Sequence, residues 1–201
     1  GWIAARVDIR QLVSESRTLP RAYFKGLNHL LNDQPDKAID AFIEIVTLDP
    51  ETADMHFALG NLFRRRGEIE RAIRVHQNLL ARPDLPLEQR THAQYELGMD
   101  YLKAGLLDRA EETFNGLMNS QYAVPARRAL LEIFQREKEW PRAIEAAIGL
   151  QESGAGSRQK EIAQFYCELA QDALVHLHPE DALPLLEKSL QADRVNVRAT
   201  L

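Results

Sequence analysis

The sequence predicts an all-α protein, a solenoid of about five stacked helix-turn-helix repeats. Three observations predict it. An alanine behind a charged or proline-led pair recurs at Ala38, Ala72, Ala110, Ala143 and Ala182, at intervals of 34, 38, 33 and 39 residues. Apolar residues around these alanines keep helical spacing, and no stretch shows the two-residue alternation of a strand. A period near 34 residues marks a two-helix repeat, whose stacked units usually hold another macromolecule.

Each repeat reads as helix A, a turn and helix B. In the first, Tyr23, Leu27, Leu30 and Leu31 belong to helix A, and Asn32-Asp33-Gln34-Pro35 breaks it. Helix B carries Ala38, Phe42 and Ile45 and stops at Asp49-Pro50. The second repeat places Leu59-Gly60 and Phe63 in helix A, turns at Gly67 and resumes with Ala72, His76 and Leu79. The third does so with Leu97-Gly98, Tyr101, Gly105, Ala110, Phe114 and Leu117. The fourth and fifth are degraded but keep the spacing through Leu130, Phe134, Ala143 and Leu150, then Tyr166, Leu169, Ala182 and Leu186. A leading segment over 1–18 thus precedes an array over 19–201. Its repeats lie near 19–52, 53–86, 87–123, 124–156 and 157–194, and a sixth starts at 195–201.

Packing explains the residue types. Gly26, Gly60 and Gly98 are expected where helix A approaches a neighbouring backbone, and the alanine of helix B fills the tight crossing. Phe63, Tyr101 and Phe134 fill the wider gap one turn on, and Phe42 and Phe114 are expected to plug the joint toward the next repeat. Gly67 and Gly105 suit the left-handed conformation that ends helix A. The long intervals fall where Arg82-Pro83-Asp84-Leu85-Pro86 and Ser153-Gly154-Ala155-Gly156-Ser157 precede the third and fifth A helices. The extra residues amount to about one helical turn, so those helices should be extended at their N-termini.

Composition excludes several classes. The chain has 201 residues, 45% hydrophobic and 27% charged, and no apolar run of membrane-helix length. A net charge of −5 argues against a general nucleic-acid binder. The single cysteine, Cys167, cannot form an internal disulfide or a four-thiolate zinc site, and its apolar neighbours predict a small buried hydrophobe. The opening residues Gly1 to Arg10 fit either the cytoplasmic flank of a membrane helix or a frayed leading helix. At the other end, an uncovered apolar face would favour pairing of two copies into a homodimer.

No catalytic constellation stands out, so no enzyme is predicted. His176 and His178 form an i, i+2 pair without a third ligand and read as a solvated loop, and Glu111-Glu112 as a solvated helix face. The sharper feature is Arg64-Arg65-Arg66, of which only Arg64 shares a face with Phe57 and Asn61. Asn61 and Arg64 could clamp an acidic or C-terminal peptide, as Arg forks onto carboxylates. The plainer reading is a solvated arginine paired with Glu68 or Glu70. The same register puts Tyr23, Leu27, Tyr95, Met99, Arg128, Glu132 and Gln135 on the inner face of the array, where Tyr, Met and Arg are types that interfaces favour.

A small residue at the eighth repeat position, an aromatic at the eleventh, Ala at the twentieth, an aromatic at the twenty-fourth and Pro at the thirty-second resemble the tetratricopeptide repeat, which winds into a right-handed superhelix. The third repeat matches best, and only the first keeps the closing proline, Pro50. Longer motifs are more particular: Leu59 to Glu68 continuing through Arg71 to Gln77, Gly26 to Asn32, Asp100 to Glu111, and Glu161 to Ala170. From about Pro20 onward they resemble the lipopolysaccharide assembly protein B family of Gram-negative bacteria. The resemblance implies the first half of a cytoplasmic array tethered to the inner membrane by an N-terminal span, which favours the membrane-flank reading of Gly1 to Arg10. It implies a regulatory adaptor that links the membrane protease FtsH to degradation of the deacetylase LpxC, with a C-terminal rubredoxin-like zinc module. The paired cysteine motifs of that module are missing here, so no cofactor is expected in this chain.

Overall fold

The computed structural model describes residues 53–175 and 179–200, together with His29 and Lys37. The expectations for Gly1 to Arg10, for the first repeat with Tyr23, Gly26, Leu27, Ala38, Phe42 and Pro50, and for His176 and His178 lie outside the described residues. The described residues form α-helices and one 3-10 turn and contain no strand. The chain divides into two compact units, Gly1–Leu85 and Pro86–Leu201.

In the first unit α1 (Ala53–Arg65) packs on α2 (Ile69–Leu80). The second unit holds α3 (Leu87–Ala104), α4 (Leu107–Asn115), α5 (Ala123–Arg136), α6 (Trp140–Glu152), α7 (Gln159–Val175), α8 (Pro179–Ala192) and a closing 3-10 turn at Val197–Ala199. Within it each helix packs on the next, and α3 also touches α5, so each element is supported by its neighbours in sequence. The 3-10 turn is opened by Asn196, whose side chain accepts a hydrogen bond from the Arg198 amide.

The turns between A and B helices share one device. Gly67 and Gly105 have φ of +79° and +74°, the left-handed conformation expected of them. At the fourth repeat the same place is held by Lys138 with φ of +58°. In all three, the next-residue amide donates to the carbonyl of the eleventh-position aromatic five residues back: Glu68 to Phe63, Leu106 to Tyr101, Glu139 to Phe134, each at 2.9 Å. This closes the helix end by the 6→1 bond of a Schellman turn.

The alanines are core residues. Ala72, Ala110 and Ala143 are wholly buried and Ala182 nearly so. Gly60 and Gly98 do lie at close approaches, but against a ring rather than a backbone. A Cβ on Gly98 would stand 2.7 Å from Phe114, and one on Gly60 would overlap the His76 ring. Phe114 is therefore seated on helix A of its own repeat.

The two long intervals lengthen helices as expected. α3 and α7 have 18 and 17 residues, against 14 in α5. α3 starts at Leu87, 23 residues ahead of Ala110, and α7 at Gln159, 23 ahead of Ala182; α5 starts at Ala123, only 20 ahead of Ala143. All three end six or seven residues ahead of their alanine, so the added turn is N-terminal.

Candidate protein-interaction face

On α1 the predicted trio separates. Phe57 is 6% exposed, with its ring centroid 6.3 Å from that of His76, so it belongs to the core and is corrected from the binding face. The reason is its place three residues before Gly60, on the side of α1 turned toward α2. Asn61 and Arg64 are half-buried, and the Arg64 guanidinium donates to the Asn61 side-chain oxygen. Glu68 takes its cations from Arg66 at 3.0 Å and Arg71 at 2.6 Å, and Glu70 lies 4.0 Å from Arg74.

In the second unit the predicted residues fall on two A helices that touch each other, α3 and α5. Tyr95 and Met99 on α3 are half-buried. Tyr95 stacks on Tyr122 with centroids 5.0 Å apart, and His92 stacks on the same ring at 5.6 Å. Tyr122 is the N-cap of α5, so this stack ties α3 to the start of the next A helix. Burial raises the Tyr122 hydroxyl above its ordinary value, and the charges of Glu96 and Glu88 push it the same way. On α5, Arg128 and Glu132 are exposed and Gln135 is half-buried; Glu132 is paired with Arg136 one turn on. The face thus presents a guanidinium, a paired carboxylate and an amide, suited to polar peptide recognition.

Sequence reasoning missed Arg142. It donates to Glu111 on α4 and, at 2.6 Å, to Glu139, which corrects the reading of Glu111 as a solvated face. The hydrogen bond to Glu111 holds the guanidinium protonated well above its ordinary range. A pair at a separation of 31 residues leaves no local signal; only the repeat register, one helix B to the next, could have suggested it.

Cys167 is buried as expected, with Sγ 3.2 Å from the hydroxyl of Ser189, which also donates to the Ala163 carbonyl at 2.8 Å. A lone buried thiol bonded in this way does not fit a rubredoxin-like zinc site. No group of three or more potential metal ligands occurs among the described residues. No helix among them is long and apolar enough to cross a membrane.

Stacked two-helix repeats with a buried alanine at each described crossing, and in two of them a glycine under a ring, define the tetratricopeptide-repeat fold. Residues 25–85 match the tetratricopeptide repeat family, and solved structures with this architecture superpose along most of the chain. One is MamA, with TM-score 0.60 at 16% identity over 90% of this chain and 94% of that one. Another is YrrB, described as a tetratricopeptide-repeat protein with an unusual peptide-binding site, with TM-score 0.60 at 14% identity over 95% of both chains.

The particular likeness is to lipopolysaccharide assembly protein B. The protein of that name from Escherichia coli K12 is 42% identical over 100% of this chain and 52% of its own length. The one from Haemophilus influenzae is 35% identical over 100% of this chain and 53% of its own. The chain spans about half the length of these curated relatives. The resemblance read from its motifs holds along the entire chain, and repeat family and relatives alike point to a scaffold rather than an enzyme.

Proposed function

We propose that this chain is a non-catalytic protein-interaction scaffold in lipopolysaccharide assembly. It serves as an adaptor at the cytoplasmic face of the inner membrane, bringing the deacetylase LpxC to the protease FtsH for degradation. The observation that carries the reading is the likeness to lipopolysaccharide assembly protein B over the full chain, on a fold whose repeats present side chains on successive A helices.

In this reading Arg128, Glu132 and Gln135 on α5, with Met99 on α3, form the partner-binding face. Tyr95 supports that face by stacking on Tyr122. Asn61 and Arg64 on α1 provide a second polar contact. In this reading a membrane tether is expected upstream of residue 1, and no cofactor is expected within this chain.

Pull-down of purified LpxC and of FtsH on this chain tests the proposal, with an Arg128→Ala/Gln135→Ala variant alongside. Retention of at least one partner, weakened in the variant, is the expected result. Failure of both proteins to bind would sink the adaptor reading.

A further inference from the structure

Three successive repeats cover the eleventh-position aromatic with the arginine eight residues later. The guanidinium carbon lies 3.9 Å from the ring centroid for Arg71 over Phe63, 5.9 Å for Arg109 over Tyr101 and 4.0 Å for Arg142 over Phe134. The arginine is in each case the residue before the buried alanine of helix B, so the pair closes the seam between the two helices from outside.

The fifth repeat has both positions changed. Ala173 stands where the ring would be and Asp181 where the arginine would be. The structure shows the consequence between α7 and α8: an open groove of about 500 Å³, lined by Leu169, Ala173 and Leu185 and by Asp172, Asp181 and Lys188. The chain neighbours Leu174, Val175 and Leu183 are 53%, 68% and 65% exposed, an unusual run of apolar side chains beside it. The loss is not a simple truncation, because the charge at the arginine position is inverted.

We propose that this groove takes in trans what the three preceding repeats supply in cis. Its occupant is a segment of a partner protein that inserts an aromatic side chain flanked by an arginine. The ring fills the space over Ala173 against Leu169 and Leu185, and the guanidinium meets the Asp181 carboxylate. Aromatic and arginine side chains are the residues that dominate binding energy when they enter such pockets. The inference rests on the groove's lining and does not depend on which partner the scaffold serves.

The test uses the full chain and three capped dipeptides, Phe-Arg, Phe-Glu and Ala-Arg, each titrated into the millimolar range while the methyl NMR signals of Leu169 and Leu185 are followed. Saturable shifts with Phe-Arg, at least about fivefold weaker with either control, are expected. Asp181→Asn should weaken Phe-Arg binding about threefold to tenfold. The Ala173→Phe/Asp181→Arg variant, which rebuilds the internal pair, should remain folded and lose the shifts. Absence of saturation, equal response to Phe-Glu, or indifference to Asp181→Asn would overturn the proposal. So would a concentration-dependent dimer abolished by the rebuilt pair, since it would assign the groove to a second copy. None of these readouts involves LpxC or FtsH, so their failure is distinct from failure of the pull-down.

Discussion

Arg142 lies over Phe134, its guanidinium carbon 4.0 Å from the ring centroid, while its nitrogens reach Glu139 at the same turn and Glu111 on the preceding helix B. One side chain thus ties together a ring of its own repeat, the start of its own helix and the repeat before it. In a fold whose units touch only their neighbours, such a link sets how strongly one repeat's stability depends on the next.

Replacing Arg142 by Ala removes a partly exposed cation–π contact and two ion pairs, each worth up to about 1 kcal/mol, so a loss of about 1–2 kcal/mol is expected. Arg142→Lys keeps the charge but not the fork and should lose about half as much. The urea midpoints of both variants decide this. A double-mutant cycle with Glu111→Gln should return a coupling energy clearly above zero, and simple additivity would deny the link between repeats.

Gly98 and Gly116 should respond to alanine with opposite signs. A methyl on Gly98 meets Phe114 at 2.7 Å, and Phe114 is fully buried, so overpacking should cost about 1–3 kcal/mol. Gly116 has a helical φ of −63° and its nearest neighbour at 3.4 Å, so alanine there should stabilise by about 0.4–1 kcal/mol. Thermal midpoints of the two variants give the comparison, and Phe114→Leu should recover part of the Gly98→Ala loss.

Most of the fold could be read in the sequence because each repeat repeats its own constraints. A buried alanine, a glycine under a ring and a left-handed turn each demand a residue type that few alternatives satisfy, so Ala110, Gly98 and Gly105 announce their places. The candidate face was legible only in part. Helical register assigns Phe57 and Asn61 to one side, yet it cannot tell that the His76 ring draws Phe57 inward while Asn61 stays half-buried. The Glu111–Arg142 link joins consecutive repeats and the Tyr122 stack joins α3 to the start of α5, and local helical spacing carries no record of either.

Lys138 takes a left-handed turn that glycine fills in the two preceding repeats. A Cβ in that conformation costs about 1–2 kcal/mol, offset in part by the greater freedom glycine gives the unfolded chain. Lys138→Gly should therefore raise stability by up to about 1 kcal/mol in urea denaturation. A loss of stability would mean that the lysine side chain makes a compensating contact.

Tyr122 gives the stack a sign at high pH. Its hydroxyl is raised above the ordinary value of 10.0, first by burial and then by the carboxylates of Glu96 and Glu88, so the folded state holds the phenolic proton more tightly than the unfolded chain does. Below the unfolded value both states keep that proton, and the group adds no pH dependence. As the pH rises past about 10, the unfolded chain releases it first, and stability falls until the folded value is passed. Tyr122→Phe should flatten this alkaline slope while leaving neutral-pH stability nearly unchanged, because the stacked ring is retained. Thermal midpoints of both proteins from pH 7 to 11 measure the difference, and parallel curves would show that Tyr122 ionises in the fold as it does in the open chain.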